Sequence, residues 1–158
     1  METPSKAKAA LRAISVFFYS MIGGLLMFTV IIFAMSYLQS PPIEDKSVFK
    51  TILIVVLFMS AVSLTAATWL YKKRIVAAQS LDLALMDKLN IYRAALMLYL
   101  ALCEAPGLFA AIIYFLTGNH LLLVVIALIL IAMFLKRPEK SKIFNELQLN
   151  SQEQLELN

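Results

Sequence analysis

Residues 13–38 carry no charged side chain, and neither do residues 51–71 or 121–135. Residues 94–116 carry one, Glu104. Runs of this kind leave a chain few options. The hydrocarbon core of a bilayer is ~30 Å thick, and ~20 apolar residues in a helix cross it. Inside that core no water satisfies a backbone N–H or C=O, so the segment must bond its own backbone as a helix.

Composition points the same way. Of the 158 residues, 61% are hydrophobic and 15% are charged, and the mean hydropathy is +0.82. A soluble domain could not cover that core with so little polar surface. The expected fold class is an all-α polytopic membrane protein with four transmembrane helices. The spans are placed at about 13–38, 51–71, 94–116 and 119–136. They form one transmembrane domain over 1–138, followed by a cytoplasmic tail over 139–158. The fourth apolar run, 121–135, covers only about 22 Å at the helical rise. Flanking residues must extend it, or the bilayer must thin around it.

The first run follows Lys6, Lys8 and Arg12, as a signal peptide would. It exceeds an h-region of ~7–15 residues and precedes no small-residue cleavage site, so it is read as a retained helix. All Lys and Arg residues except Lys46 and Lys50 fall in three regions: the amino terminus, residues 72–93 and residues 136–142. By the positive-inside rule these three lie together in the cytoplasm, with both termini. The expected location is a bacterial inner membrane. The net charge of +4 brackets the apolar runs and forms no continuous stripe. The bilayer is therefore the expected partner, and nucleic acid is not.

Between the second and third runs, Leu81, Leu85 and Leu89 recur every four residues. That is helical spacing with an apolar stripe. It predicts a cytoplasmic helical extension over 74–93, prolonging the third helix or lying at the interface. Pro41 and Pro42 punctuate the first loop, and Thr117, Gly118 and Asn119 form a tight turn. Trp69 and Tyr71 are expected at a membrane interface. Ser151 and Gln154 have capping-box spacing, so the tail is expected to hold a short surface helix or a frayed end.

Glu104 is the residue that most demands a reason, because an ionisable group at mid-membrane depth is costly. On a helix it shares a side with Gly107 and Ala111, whose small size allows close helix packing. Gly23 and Gly24 suggest a second close-packing point on the first helix. Pro106 is a helix-kink candidate. It has no amide hydrogen, so the carbonyl of Leu102 loses its helical donor and must find another. A protonated Glu104 is one candidate donor. No Lys, Arg or His lies at matching depth, so a dry Glu104 is expected to be mostly protonated near neutral pH. Ser60 and Ser63 lie near the middle of the second run. With Glu104 and freed carbonyls they outline a candidate proton- or cation-binding pocket.

Residues 101–113, A-L-C-E-A-P-G-L-F-A-A-I-I, resemble the ion-binding helix of rotor-ring proteolipid c subunits. The resemblance implies that Glu104 carries a proton or a sodium ion. It stops there: Ala110 stands where that family usually has glycine, and the first helix lacks its glycine series. The wider layout resembles uncharacterised small four-helix membrane proteins of bacteria. Glu104-Ala105-Pro106, Leu116-Thr117-Gly118 and Pro138 carry that resemblance, which implies a fold and no activity.

Enzyme signatures are missing: there is no HExxH, GxSxG, P-loop or GxGxxG before a strand. With one cysteine and one histidine, Cys103 and His120, the chain has no disulfide, bis-histidine haem or ordinary zinc set of its own. Cys103 reads as a small buried side chain and His120 as a solvated cap. No cofactor or metal is expected. The expected function is that of a non-enzymatic structural or complex-associated membrane subunit, with a homo-oligomer or membrane-complex partner. The alternatives are a proton- or cation-handling subunit built on Glu104, and an adaptor whose cytoplasmic faces bind a partner.

Overall fold

The computed structural model describes residues 4–38, 46–80 and 83–157. Every regular element among them is helical: α1 Pro4–Leu38, α2 Lys46–Ser80, α3 Leu85–Thr117, α4 Leu121–Leu135, α5 Lys140–Glu146 and α6 Ser151–Leu157. Three helices are long and apolar enough to cross a membrane: Lys8–Leu38, Val48–Gln79 and Leu85–Thr117. A fourth span exists if α4 is taken with the short helix Lys140–Leu147, from which it is bent by 71°. Pro41, Pro42, Leu81 and Asp82 lie outside the described residues.

The molecule is built around α3. It packs against α2, α1 and α4, whereas α1 and α2 make almost no contact with each other. Half of the apolar window of α3 is buried inside the protein (50%), against 11% for α1 and 11% for α2. The outer helices turn large apolar side chains outward, Phe58 being 71% exposed. Water would make such a surface a strong association liability; hydrocarbon covers it at no comparable cost.

Polar atoms in these helices are satisfied locally. Ser15, Thr29, Ser60, Thr65 and Thr68 each donate to the carbonyl four residues earlier in the same helix. Cross-ties are few. Tyr99 Oη donates to the Ala132 carbonyl at 3.1 Å, joining α3 to α4. Ser36 Oγ donates to Tyr114 Oη at 3.2 Å, joining α1 to α3, and Phe33 stacks on Tyr114. Gly118 ends α3 with φ of 64°, a left-handed cap that glycine adopts without strain, and its N–H bonds the Tyr114 carbonyl at 2.7 Å. Asn119 Oδ1 then accepts from the Leu121 N–H, starting α4.

The segment expected as one extension over 74–93 is divided between two helices. Residues 74–80 complete α2, and α3 begins at Leu85. Ile75 and Ala78 on one helix and Leu85, Leu89 and Tyr92 on the other are all buried. The apolar stripe thus seals a hairpin whose two arms lengthen together. Trp69 is exposed, with Lys73 Nζ over its ring at 5.1 Å. Tyr71, expected beside it at the interface, is buried instead.

The tail folds back onto this hairpin and does not fray. Ile143 is 2% exposed and Leu147 1%. Glu146 is the fastener: its carboxylate accepts from Tyr71 Oη, and its backbone carbonyl accepts from Gln79 Nε2 at 2.7 Å. Lys136 Nζ lies 3.8 Å from the same carboxylate and 4.3 Å from the Tyr71 ring centre. The capping box sits one residue earlier than Ser151 and Gln154. Asn150 Oδ1 accepts from the Glu153 N–H, and Glu153 Oε2 accepts from the Asn150 N–H, both at 2.8 Å. An amide side chain caps a helix as well as a hydroxyl does, so the box forms at Asn150. Glu153 Oε1 pairs with Lys88 Nζ at 2.8 Å, tying α6 to α3.

Candidate functional site

Pro106 lies inside α3 and is buried. It removes the donor that the Leu102 carbonyl would otherwise receive. The structure supplies a replacement from the neighbouring helix: Ser63 Oγ of α2 donates to that carbonyl. Of Ser60, Ser63, Thr65 and Thr68 on α2, Ser63 reaches across, while the other three bond within α2. Ser60 is buried, with its hydroxyl on the Val56 carbonyl at 2.7 Å.

Glu104 is thereby released from that task. Its residue is half-buried and turned toward α1. A Cβ on Gly24 would stand 3.9 Å from Glu104 Oε1, so glycine leaves room for the carboxyl beside the α1 backbone. No hydrogen bond or ion pair joins Glu104 to another described residue. The structure therefore separates the three polar candidates. Ser60 and Ser63 belong to the α2 side of α3, and Glu104 belongs to the α1 side.

The small residues also differ in role. Gly107 is buried where α1, α3 and α4 meet. A Cβ there would lie 2.9 Å from Leu25 Cδ2 and 3.6 Å from Ile129 Cγ2. Ala111 is fully buried on the same side of α3. Gly23 faces outward, with nothing within 4 Å of a Cβ built on it. It makes no close packing within one molecule.

The surroundings of the carboxyl follow from the gap between α1 and α2. Ala94, Ala101, Ala105 and Ile112 of α3 are exposed along one stripe, spaced as a helix face requires. α1 packs on one side of that stripe, at Glu104, and α2 on the other, at Leu102, while α1 and α2 barely touch each other; we read the stripe as the floor of a lateral cleft between them. Glu104 lies beside Ala101 and Ala105, at the α1 edge of the floor. Sequence periodicity places Glu104 on the Gly107–Ala111 side, but it does not reveal that α1 and α2 stand apart. The signal for that was faint: three alanines on the α3 stripe.

His120 lies at the far turn, its ring 5.9 Å from that of Tyr114, and Cys103 is buried and free. Among the described residues no group of three or more His, Cys, Asp or Glu side chains is placed to hold a metal ion. Compared with protein-family models, curated proteins and solved structures, the chain has no match.

Proposed function

We propose that this protein is a non-enzymatic, four-span inner-membrane subunit with both termini cytoplasmic, and that Glu104 is the group through which it joins a membrane complex. One observation carries the proposal: a mid-helix carboxyl stands beside an uncovered stripe of α3 and has no hydrogen-bond or ion-pair partner among the described residues. A carboxyl kept for internal packing would be bonded to a neighbouring helix. Here Ser63 does that work at Leu102. In hydrocarbon an unmet polar group costs several kcal/mol by general estimate, roughly 2–7. A donor from outside the bundle removes that cost, and a neighbouring transmembrane helix lying in the cleft can bring one. The alanine floor lets such a helix approach closely.

The same opening supports a second reading. A proton or a small cation reaching Glu104 through the cleft would satisfy the carboxyl equally well, as the likeness of residues 101–113 to c subunits implies. Particle size separates the two. The protein should be extracted gently from native membranes as wild type, Glu104→Gln and Glu104→Ala. The association reading expects a wild-type assembly larger than one chain, partly retained in Glu104→Gln and lost in Glu104→Ala. Unchanged assembly size in all three would overturn it.

A further inference from the structure

A second cavity lies far from Glu104, where the first turns of α1 meet the elbow between α4 and α5. Its volume is about 620 Å³, and Lys8, Arg12, Val16, Lys140 and Ile143 are among its lining residues. Lys8, Arg12 and Val16 follow one another at four-residue spacing, so they share a face of α1. That face is graded. Its cationic end lies toward the amino terminus, and exposed Val16 lies about 12 Å further into the apolar window at the helical rise. Pro138, Lys140 and Ile143 line it from the elbow between α4 and α5. Among the described residues no carboxylate lines the cavity. Lys8 and Arg12 make no ion pair among the described residues. Arg137 adds positive charge beside it, with its guanidinium 5.9 Å from the Tyr19 ring of α1.

We infer that this cavity binds the phosphate headgroup of an anionic glycerophospholipid from the cytoplasmic leaflet. Lys8 and Arg12 hold the phosphate. The acyl chain leaves along Leu11 and Val16 into hydrocarbon. Basic pockets between membrane helices on the cytoplasmic side have the charge and depth for such headgroups. The occupied site joins α1 to α5, so it also fastens the folded-back tail. This inference rests on the proposed membrane orientation and is independent of what Glu104 does.

The test uses the delipidated full-length protein in a neutral detergent. Phosphatidylglycerol, phosphatidylcholine and inorganic phosphate are added separately, and bound lipid is counted by native mass spectrometry alongside the thermal midpoint. The expected result is one retained phosphatidylglycerol and a raised midpoint, with phosphatidylcholine and phosphate much weaker. Lys8→Gln with Arg12→Gln should lower phosphatidylglycerol affinity roughly 5- to 30-fold, following the strength of single basic residues near an anionic surface. Lys72→Gln with Lys73→Gln, which removes equal charge outside the cavity, should leave it unchanged. Equal retention of the two lipids overturns the proposal, even if the first variant does not fold. Equal losses in both double variants, or a full effect from inorganic phosphate, overturn it as well.

Discussion

Pro106, Ser63 and Glu104 divide one problem between them. The proline frees a carbonyl, the serine bonds it, and the carboxyl two residues on turns the other way. The need at Leu102 was legible from the sequence, because a missing N–H is a property of proline alone. The donor was not, because Glu104 and Ser63 are both chemically able and only the packing of α2 on α3 decides. Ser63→Ala should cost about 0.6–1.7 kcal/mol, the range of interhelical hydrogen bonds in membranes, read as a lower thermal midpoint in detergent. Ser60→Ala should cost less, since its hydroxyl bonds only its own helix. Glycine positions give a sharper contrast. Gly107→Val must displace Leu25 and press on Ile129, an overpacking cost of about 1–3 kcal/mol. Gly23→Ala meets open space and should be neutral or slightly stabilising. Equal destabilisation by the two would mean that α1 does not pack on α3 in this register.

At the level of elements, the carboxy-terminal tail departs most from its sequence expectation. Helical spacing and a capping signal were visible there, yet nothing in the local pattern told that Ile143, Leu147 and Leu149 have a place to be buried. That place exists because α2 runs on to Ser80 and presents Tyr71 and Gln79 to Glu146. The polar contacts of the tail are few, so they are separable from the apolar ones. Tyr71→Phe combined with Glu146→Gln should loosen α5, and proteolysis should then cut the tail at least several-fold faster than in wild type. Unchanged cleavage would mean that burial of Ile143 and Leu147 suffices to hold it. The hairpin of α2 and α3 shows the opposite lesson. Its apolar stripe at Leu85 and Leu89 was plain in the sequence, but a stripe does not tell which of two helices a connecting segment prolongs.

The whole molecule is a central helix with three neighbours that do not close around it. Apolar length gave the long helices directly, because crossing ~30 Å of hydrocarbon leaves no other use for such runs. The gap between α1 and α2 was barely legible: beyond three alanines on α3, no local pattern records which pair of helices fails to touch. Topology remains a prediction of charge placement. In a Cys103→Ala background, Ser151→Cys should react with a membrane-impermeant thiol reagent only after the cytoplasmic side is opened. Asn119→Cys should react from the outside of intact cells. Reaction of both from one side would mean an odd number of spans, with α4 not crossing.

The central claim is that Glu104 opens on a lateral cleft and is satisfied from outside the bundle. Hydrophobic-carbodiimide labelling measures this directly, because such reagents modify protonated carboxyls in apolar surroundings. Labelling of Glu104 should be read by peptide mass spectrometry, across pH and with sodium as competitor, in the dispersed pure protein and in native membranes. The account predicts labelling of the dispersed protein that falls as pH rises, and protection in native membranes where a partner covers the cleft. No labelling of a folded, dispersed protein at any pH would contradict the open cleft. Equal labelling in both settings, blocked by sodium, would replace the partner with an ion.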